Sequence, residues 1–382
     1  MRWKKLHWRK WGCLLVILAQ PLAAQAAGPE KIATLERALW PETINSAEAF
    51  DRASQAEILT FARLLEQTPL NNAAEIQSFT GLKNVNPESV NKWLQITRER
   101  LRENYAQACG QCELSTDWQG IMDAAFAAAV VNKTHRQWQQ ASEGFHRRYL
   151  YEQVRLAALF PRITSEIDTF SPSDSADGVV EITGFELSDR HFMLSYDDGP
   201  SSTRTAPLVR ALEDAGVEAY FFVLGEKLAG FDASAGASNT GKSFYGSQCL
   251  ASHGYQHKSH QKWAEWQTSL QDTRKAINAF RGEPSEQPVA FRPPYGQRHQ
   301  ELVNELAQQG EKLILWNIDS QDWNRKLSAE QVQDRVLTLM LLWRRGVILY
   351  HDIHPKAEAN LPALLAFQQQ AGLIWQSCNT EF

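Results

Sequence analysis

Hydrophobic positions along this chain change their period near residue 170. Before that point they recur every three or four residues in Ala33–Trp40, Ile58–Leu65, Val90–Leu101 and Ile121–Val131, which places an apolar stripe along one side of a helix. Start signals agree. Asn86-Pro87-Glu88-Ser89 puts a capping amide before a first-turn proline and an acid, and Ser115-Thr116-Asp117 has the composition of another start. No strand-like alternation and no internal repeat interrupts the pattern, so residues 28–170 are expected to form an all-helical N-terminal domain. Trp118, Trp138, Phe145 and Tyr149 would suit a sugar-binding surface, but their helical spacing is that of core residues.

Residues 171–178, Ser-Pro-Ser-Asp-Ser-Ala-Asp-Gly, are short, polar and rich in turn formers, and are expected to be a linker. Beyond them strands and helices alternate. The strands expected are Val179–Gly184, His191–Tyr196, Ala219–Leu224, Lys312–Ile318, Gly346–Tyr350 and Leu373–Gln376. The helices expected are Thr205–Ala215, Trp263–Phe280, Gln300–Gln309, Ala329–Trp343 and Leu361–Gln370. A Gly/Ala/Ser-rich stretch, Ala229–Gly246, breaks the rhythm. Such alternation implies an α/β domain over 179–382, a parallel sheet or barrel whose strand C-terminal ends carry the site. Asp197, Tyr295, Asp322 and His351 all fall just past such strands.

With 382 residues, 43% hydrophobic and 22% charged, the chain has an ordinary globular composition and enough length for two domains. Its first 26 residues depart from that texture. Arg2, Lys4, Lys5, Arg9 and Lys10 precede a short apolar stretch, Leu14–Ala24, and Ala24-Gln25-Ala26 gives a small-x-small cleavage pattern, so 1–26 are expected to be a signal peptide. The apolar stretch is too short to span a bilayer stably. The mature chain is therefore expected to be periplasmic or extracellular, with no stable membrane span. Removing the signal takes away five Lys/Arg and no Asp/Glu, so the formal charge moves from −5 to −10. An acidic chain without a long basic run excludes nucleic acid as the main partner. Four cysteines remain, and an oxidising compartment favours pairing them as Cys109–Cys112 and Cys249–Cys378, each within one domain. The Cys109-Gly-Gln-Cys112 spacing also suits a redox or zinc motif, although it follows a helical pattern and has no second such pair.

Candidate chemistry centres on Leu194-Ser195-Tyr196-Asp197-Asp198-Gly199-Pro200, where an apolar run ends in two adjacent carboxylates and a turn. Neighbouring carboxylates repel, and at the mouth of a strand such a pair needs a cation. Further ligands stand downstream: His253 and His257 four apart, then His351-Asp352-Ile353-His354. Asp with two His is a hydrolytic zinc set that leaves open positions for water and substrate.

Five motifs occur in order: Ser195-Tyr196-Asp197-Asp198-Gly199-Pro200, Ser252-His253-Gly254-Tyr255-Gln256-His257, Arg292-Pro293-Pro294-Tyr295-Gly296, Asp319-Ser320-Gln321-Asp322-Trp323 and Leu349-Tyr350-His351-Asp352. On these motifs the chain from about 186 to 382 resembles the polysaccharide deacetylases, the family 4 carbohydrate esterases with a NodB-homology domain. The resemblance implies a distorted (β/α) barrel. It implies Asp198, His253 and His257 as ligands of a divalent metal ion, usually zinc in that family. Asp197 would be the general base that draws a proton from the attacking water, held ionised by Arg292. His351 would protonate the departing amine, oriented by Asp322, and the backbone N–H of Tyr295 would help hold the oxyanion. Trp323 and Leu349 would form an apolar wall beside the acetyl methyl.

Two departures from the family pattern stand out. Ser195-Tyr196 replaces its usual Thr-Phe, and Gly254 replaces the Ser or Thr after its first histidine, a lost hydroxyl expected to loosen the metal loop. His260 and His354 fall outside the motifs and are expected at the rim. The implied activity is removal of N-acetyl groups from N-acetylglucosamine units of a polysaccharide, with peptidoglycan first, then chitin oligomers or an exopolysaccharide. O-deacetylation of a xylan-like ester is the less favoured variant. The alternative is a catalytically idle sugar-binding or scaffold protein that keeps the fold. Such a protein would be expected to lack a base or a ligand, and none is missing here.

Overall fold

In the computed structural model the described residues are 31–113, 117–128, 135–159, 181–231 and 244–380. The expected signal peptide, the linker and residues 232–243 of the Gly/Ala/Ser-rich stretch lie outside them.

Among the described residues five α-helices come first: α1 (Ala47–Gln67), α2 (Ala73–Thr80), α3 (Pro87–Ala108), α4 (Trp118–Ala128) and α5 (Arg136–Leu159). Their starts are set by local chemistry. Ser46, Asn72 and Asn86 each accept a backbone N–H of the first turn, and Pro87 sits where its missing N–H costs nothing. Trp138, Phe145 and Tyr149 are core residues, whereas Trp118 is half-buried. The expected helix over Ala33–Trp40 does not form; a single 3₁₀ turn, Arg37–Leu39, stands in its place. Tertiary partners take the backbone groups a helix would use. Ala33 donates its N–H to Glu152 and accepts from Arg335, while Arg37 N–H binds Asp334. Pro41 also biases Trp40 away from helical torsions, and Trp40 is extended.

The second half contains β1 (Glu181–Ile182), β2 (His191–Asp197), α6 (Thr205–Ala215), β3 (Tyr220–Val223), α7 (Gly225–Ala229), β4 (Cys249–Ser252), α8 (Trp266–Arg281) and α9 (Gln300–Gln308). It ends with β5 (Leu313–Ile314), β6 (Ile318–Asp319), α10 (Ala329–Trp343), β7 (Gly346–His351), α11 (Pro355–Ala371) and β8 (Ile374–Trp375). The strand order is β4-β3-β2-β7-β6, with β8 beside the start of β2, and every described pair is parallel. β1 pairs with β5, and Phe291 bridges Ser252 to Leu313, so the two sheets continue into each other. The single strand expected over Lys312–Ile318 is two short ones. Leu315 N–H still reaches Ile182 of β1, but Asn317 N–H already reaches Val347 of β7. The chain changes partner there, and the ladder breaks. α11 begins six residues earlier than expected, with Pro355 in its first turn.

Period-2 alternation sorts side chains to the two faces of the central strands. Phe192, Leu194, Tyr196, Ile348 and Tyr350 join the large core shared with the helical layer. Met193, Val347 and Leu349 join the opposite core with Phe222, Phe291 and Trp316. α10 lies between the helical layer and the sheet. Its Val332–Trp343 stretch is almost wholly buried, with Arg335 and Thr338 hydrogen-bonded within it. Ser54 of α1 and Asn104 of α3 bond to the Leu341 and Leu342 carbonyls at its end. Disulfides join Cys109 to Cys112 and Cys249 to Cys378, the expected pairing. Among the described residues no helix is long and apolar enough to cross a membrane.

Candidate active site

The site forms where β2 and β7 end side by side. Asp197 is in register with His351, and Ser195 with Leu349, so these four residues share the face opposite the helical layer. Asp197 is buried and accepts from Arg292 Nη1 at 2.7 Å. The fully buried Arg292 guanidinium also donates to Ser195 Oγ at 3.0 Å and to the Ile314 and Leu315 carbonyls at 2.9 and 2.8 Å. A buried cation is tolerable only when it is paired and hydrogen-bonded, and here all three guanidinium nitrogens donate. Burial pushes the Asp197 carboxyl up, and the Arg292 and His351 charges oppose that rise. Ser195 keeps a hydroxyl where the family pattern has Thr, and uses it to reach the Ile348 carbonyl at 2.8 Å.

The chain then turns sharply. Asp198 has φ 75°, which swings its carboxylate toward the histidines downstream. His253 Nε2 and His257 Nε2 lie 3.6 and 3.5 Å from Asp198 Oδ1. One donor atom from each of Asp198, His253 and His257 lies within 4.8 Å of the others. Two further observations fit this set to a cation. Asp198 Oδ1 is buried and has no hydrogen-bond partner, an expensive state for a carboxylate oxygen unless a cation satisfies it. Both imidazoles are also anchored by the far nitrogen: His253 Nδ1 at 2.8 Å from the Arg292 carbonyl and His257 Nδ1 at 3.1 Å from Tyr295 Oη. That leaves each Nε2 for a ligand, the usual outer arrangement of a metal-binding histidine. Burial drives both histidines down to about 4, which keeps them neutral and able to donate a lone pair. Asp198 is held below the usual carboxylate range; burial raises it, but the fields of His351, His253, His257 and Lys227 outweigh burial.

Opposite stands His351. Its Nδ1 lies 2.7 Å from Asp322 Oδ1, and its own N–H donates to Asp322 Oδ2 at 2.9 Å. Burial lowers its pKa, but Asp322, with Asp198 and Asp197 behind it, raises it to about 10. Tyr295 sits in a 3₁₀ turn with φ 61°, and its ring is exposed. Trp323 is half-buried in the loop after β6, and Leu349 is buried in β7. Asp197, Asp198, His253, His257, Arg292, Asp322 and His351 therefore come together at one end of the sheet, with the Tyr295 hydroxyl beside His257.

Two lysines were not legible there. Lys227 of α7 donates to the Asp198 carbonyl at 2.7 Å, and Lys356 of α11 to the Asp322 carbonyl at 3.1 Å, each a lone lysine on an ordinary helix. Asp352 is buried behind the first motif, where it accepts from Thr205 Oγ1 at 2.6 Å; burial pushes it up to about 7. Its carboxylate fills the space beside Gly199, so that a side chain there would collide with it. His354 is half-buried at the start of α11, its ring 5.7 Å from His351. His260 is not at the rim. It is completely buried, packed on Phe291 and Trp263.

Comparison with known proteins adds a family. Residues 186–314 match the polysaccharide deacetylase model. A peptidoglycan-N-acetylglucosamine deacetylase of Bacillus cereus is 29% identical over 196 residues, 49% of this chain and 69% of that one. A peptidoglycan-N-acetylglucosamine deacetylase of Listeria monocytogenes is 28% identical over 188 residues, 48% of this chain but 37% of that relative's length. A crystal structure of a peptidoglycan N-acetylglucosamine deacetylase covers 52% of this chain and 91% of its own, at 22% identity and a TM-score of 0.46.

Proposed function

Residues 186–314 belong to the polysaccharide deacetylase family, and on that premise we propose that the chain is an exported, zinc-dependent hydrolase of N-acetyl groups on N-acetylglucosamine units, peptidoglycan being its polymer. The observation that carries the proposal is the three-donor set Asp198, His253 and His257 lying between two charged pairs, Asp197–Arg292 and His351–Asp322. The names of the relatives support peptidoglycan, and the basic and apolar opening of the chain supports export. In this reading the parallel run from β6 round to β1 is the family's distorted barrel, and the helical layer is an accessory to it.

Asp198, His253 and His257 would hold the ion, which when bound polarises a carbonyl and makes water a nucleophile near neutral pH. Asp197 takes the proton of the attacking water; Arg292 fixes its carboxylate and favours the ionised form. His351 delivers a proton to the departing amine nitrogen, its ring held through Nδ1 by Asp322 so that Nε2 carries the proton that moves. The Tyr295 backbone N–H is the donor assigned to the developing oxyanion. Trp323 and Leu349 line the acetyl methyl, an apolar group that gains from leaving water.

Acetate release tests this directly. The mature, zinc-loaded protein is expected to release acetate from purified peptidoglycan, and Asp197→Asn to lower the rate by about 100-fold or more while keeping its zinc. Acetate from chitin oligomers alone would change the polymer. No acetate from either, with zinc bound, would refute the activity.

A further inference from the structure

The loop carrying His253 and His257 is gripped from both sides by residues that lie in none of the five motifs. On one side the N–H groups of Gly225 and Glu226, at the start of α7, donate to the Gly254 and Tyr255 carbonyls, each at 3.0 Å. On the other side stands His260. Its Nδ1 is 2.9 Å from the Lys258 carbonyl and its Nε2 is 3.0 Å from Ser269 Oγ on α8. Ser269 Oγ in turn accepts the Tyr255 N–H at 2.8 Å.

The donors and acceptors in this chain close without a gap. A carbonyl only accepts, so His260 Nδ1 must carry the ring proton, and Nε2 accepts the Ser269 hydroxyl. That hydroxyl oxygen keeps a lone pair for Tyr255 N–H. A completely buried imidazole costs desolvation that an aliphatic side chain would not, and these bonds offset it. Shape says the same. Gly254 has φ 80°, and a Cβ built on it would lie 2.5 Å from His260 Cε1 and 3.2 Å from Ser269 Oγ. The imidazole therefore occupies the room that a side chain at 254 would need.

We propose that His260 is a positioning residue for the metal-binding loop: through Ser269 it fixes the turn between His253 and His257, replacing the side chain that Gly254 lacks. The proposal rests on the zinc reading above. It also turns the expected weakness at Gly254 into a packed contact.

Zinc affinity of the full mature chain, by competition with a chromophoric chelator, is the test, with thermal melting of the zinc-free protein alongside. His260→Ala is expected to weaken zinc binding by up to about 10-fold, less than the loss of a group bonded directly to a metal ligand, because it acts through the loop backbone. Ser269→Ala, which removes one hydroxyl from a helix and leaves the packing intact, is expected to move affinity the same way by a smaller factor. It keeps the test decisive if His260→Ala fails to fold. Gly254→Ala supplies a cycle. Its backbone strain is the same in either background, so a larger loss with His260 present than in the His260→Ala background isolates the contact. Zinc affinity within about twofold of wild type in both His260→Ala and Ser269→Ala would overturn the proposal, whatever the melting temperatures. So would equal losses from Gly254→Ala in both backgrounds. A wild-type chain that binds no zinc would overturn the zinc reading itself, and this inference with it.

Discussion

Glu152 of α5 accepts from Arg335 of α10 at 2.8 Å, and the same guanidinium donates to the Asp319 carbonyl at 3.0 Å. One buried ion pair thus links the helical layer to the end of β6, three residues before Asp322. The apolar core is likewise continuous, running from Phe50 and Tyr149 through α10 to Phe192 and Ile348. The described helices of the first half cover a face of that core.

Removing one member of that pair strands the other charge. Glu152→Ala is therefore expected to destabilise the protein by about 3–5 kcal/mol. Urea unfolding followed by circular dichroism and by tryptophan fluorescence should show one shared transition, displaced to lower urea. Two well-separated transitions in the wild type would contradict a common core.

Glu57 is expected to make stability depend on acid pH. It is buried in α1 and accepts from Arg37, Trp138, Ser142 and His146. Burial raises its pKa, but Arg37 and His146 outweigh burial and bring it down to about 2, from 4.5. A folded-state pKa below the unfolded one means stability present above about pH 4.5 and lost as pH falls toward 2. The contribution is on the order of 3 kcal/mol. Glu57→Gln should lower stability at pH 7 and flatten its decline between pH 5 and 2; an unchanged acid slope in chemical denaturation would refute the assignment.

His351 owes its charge to Asp322. Its pKa of about 10 in the metal-free chain lies above the ordinary value of 6.5, so the imidazolium persists through neutral pH and is lost as pH rises. A bound dication lowers that value, but the effect of Asp322 keeps its sign. Asp322→Asn should move the alkaline limb of the rate profile to lower pH and cut kcat by about 100-fold or more. An alkaline limb that stays put would remove His351 as the acid.

The Cys249–Cys378 bridge spans 129 residues and ties the C-terminal segment to β4. In the chain-entropy relation, cross-links closing loops of that length stabilise by about 5 kcal/mol. Cys378→Ser should lower the melting temperature markedly, and the wild type should show the same fall under reducing conditions. A variant that melts with the wild type in oxidising buffer would show the bridge is dispensable.

Local pattern reached far into this protein. Helical spacing located α1, α3, α4 and α10, with Ala329–Trp343 matched at both ends, because these segments carry their own caps and their own apolar stripe. Motif order brought out Asp197, Asp198, His253, His257, Arg292, Tyr295, Asp322 and His351, because ligands and acids are restricted residue types that stand at strand ends.

Tertiary structure decided what depends on distant partners. Ala33–Trp40 has helical spacing, yet Glu152, Arg335 and Asp334 claim its backbone groups. Lys312–Ile318 has the composition of one strand, yet the chain exchanges β1 for β7 inside it. His260, read alone, is a histidine beyond the motifs; in the fold it packs against Gly254 and bonds Ser269, beside the loop that carries His253 and His257. Sequence specifies which groups are available and how each segment prefers to coil. Which buried donor meets which acceptor, across a hundred residues or more, is settled only when the layers close and each polar group must find a partner away from water.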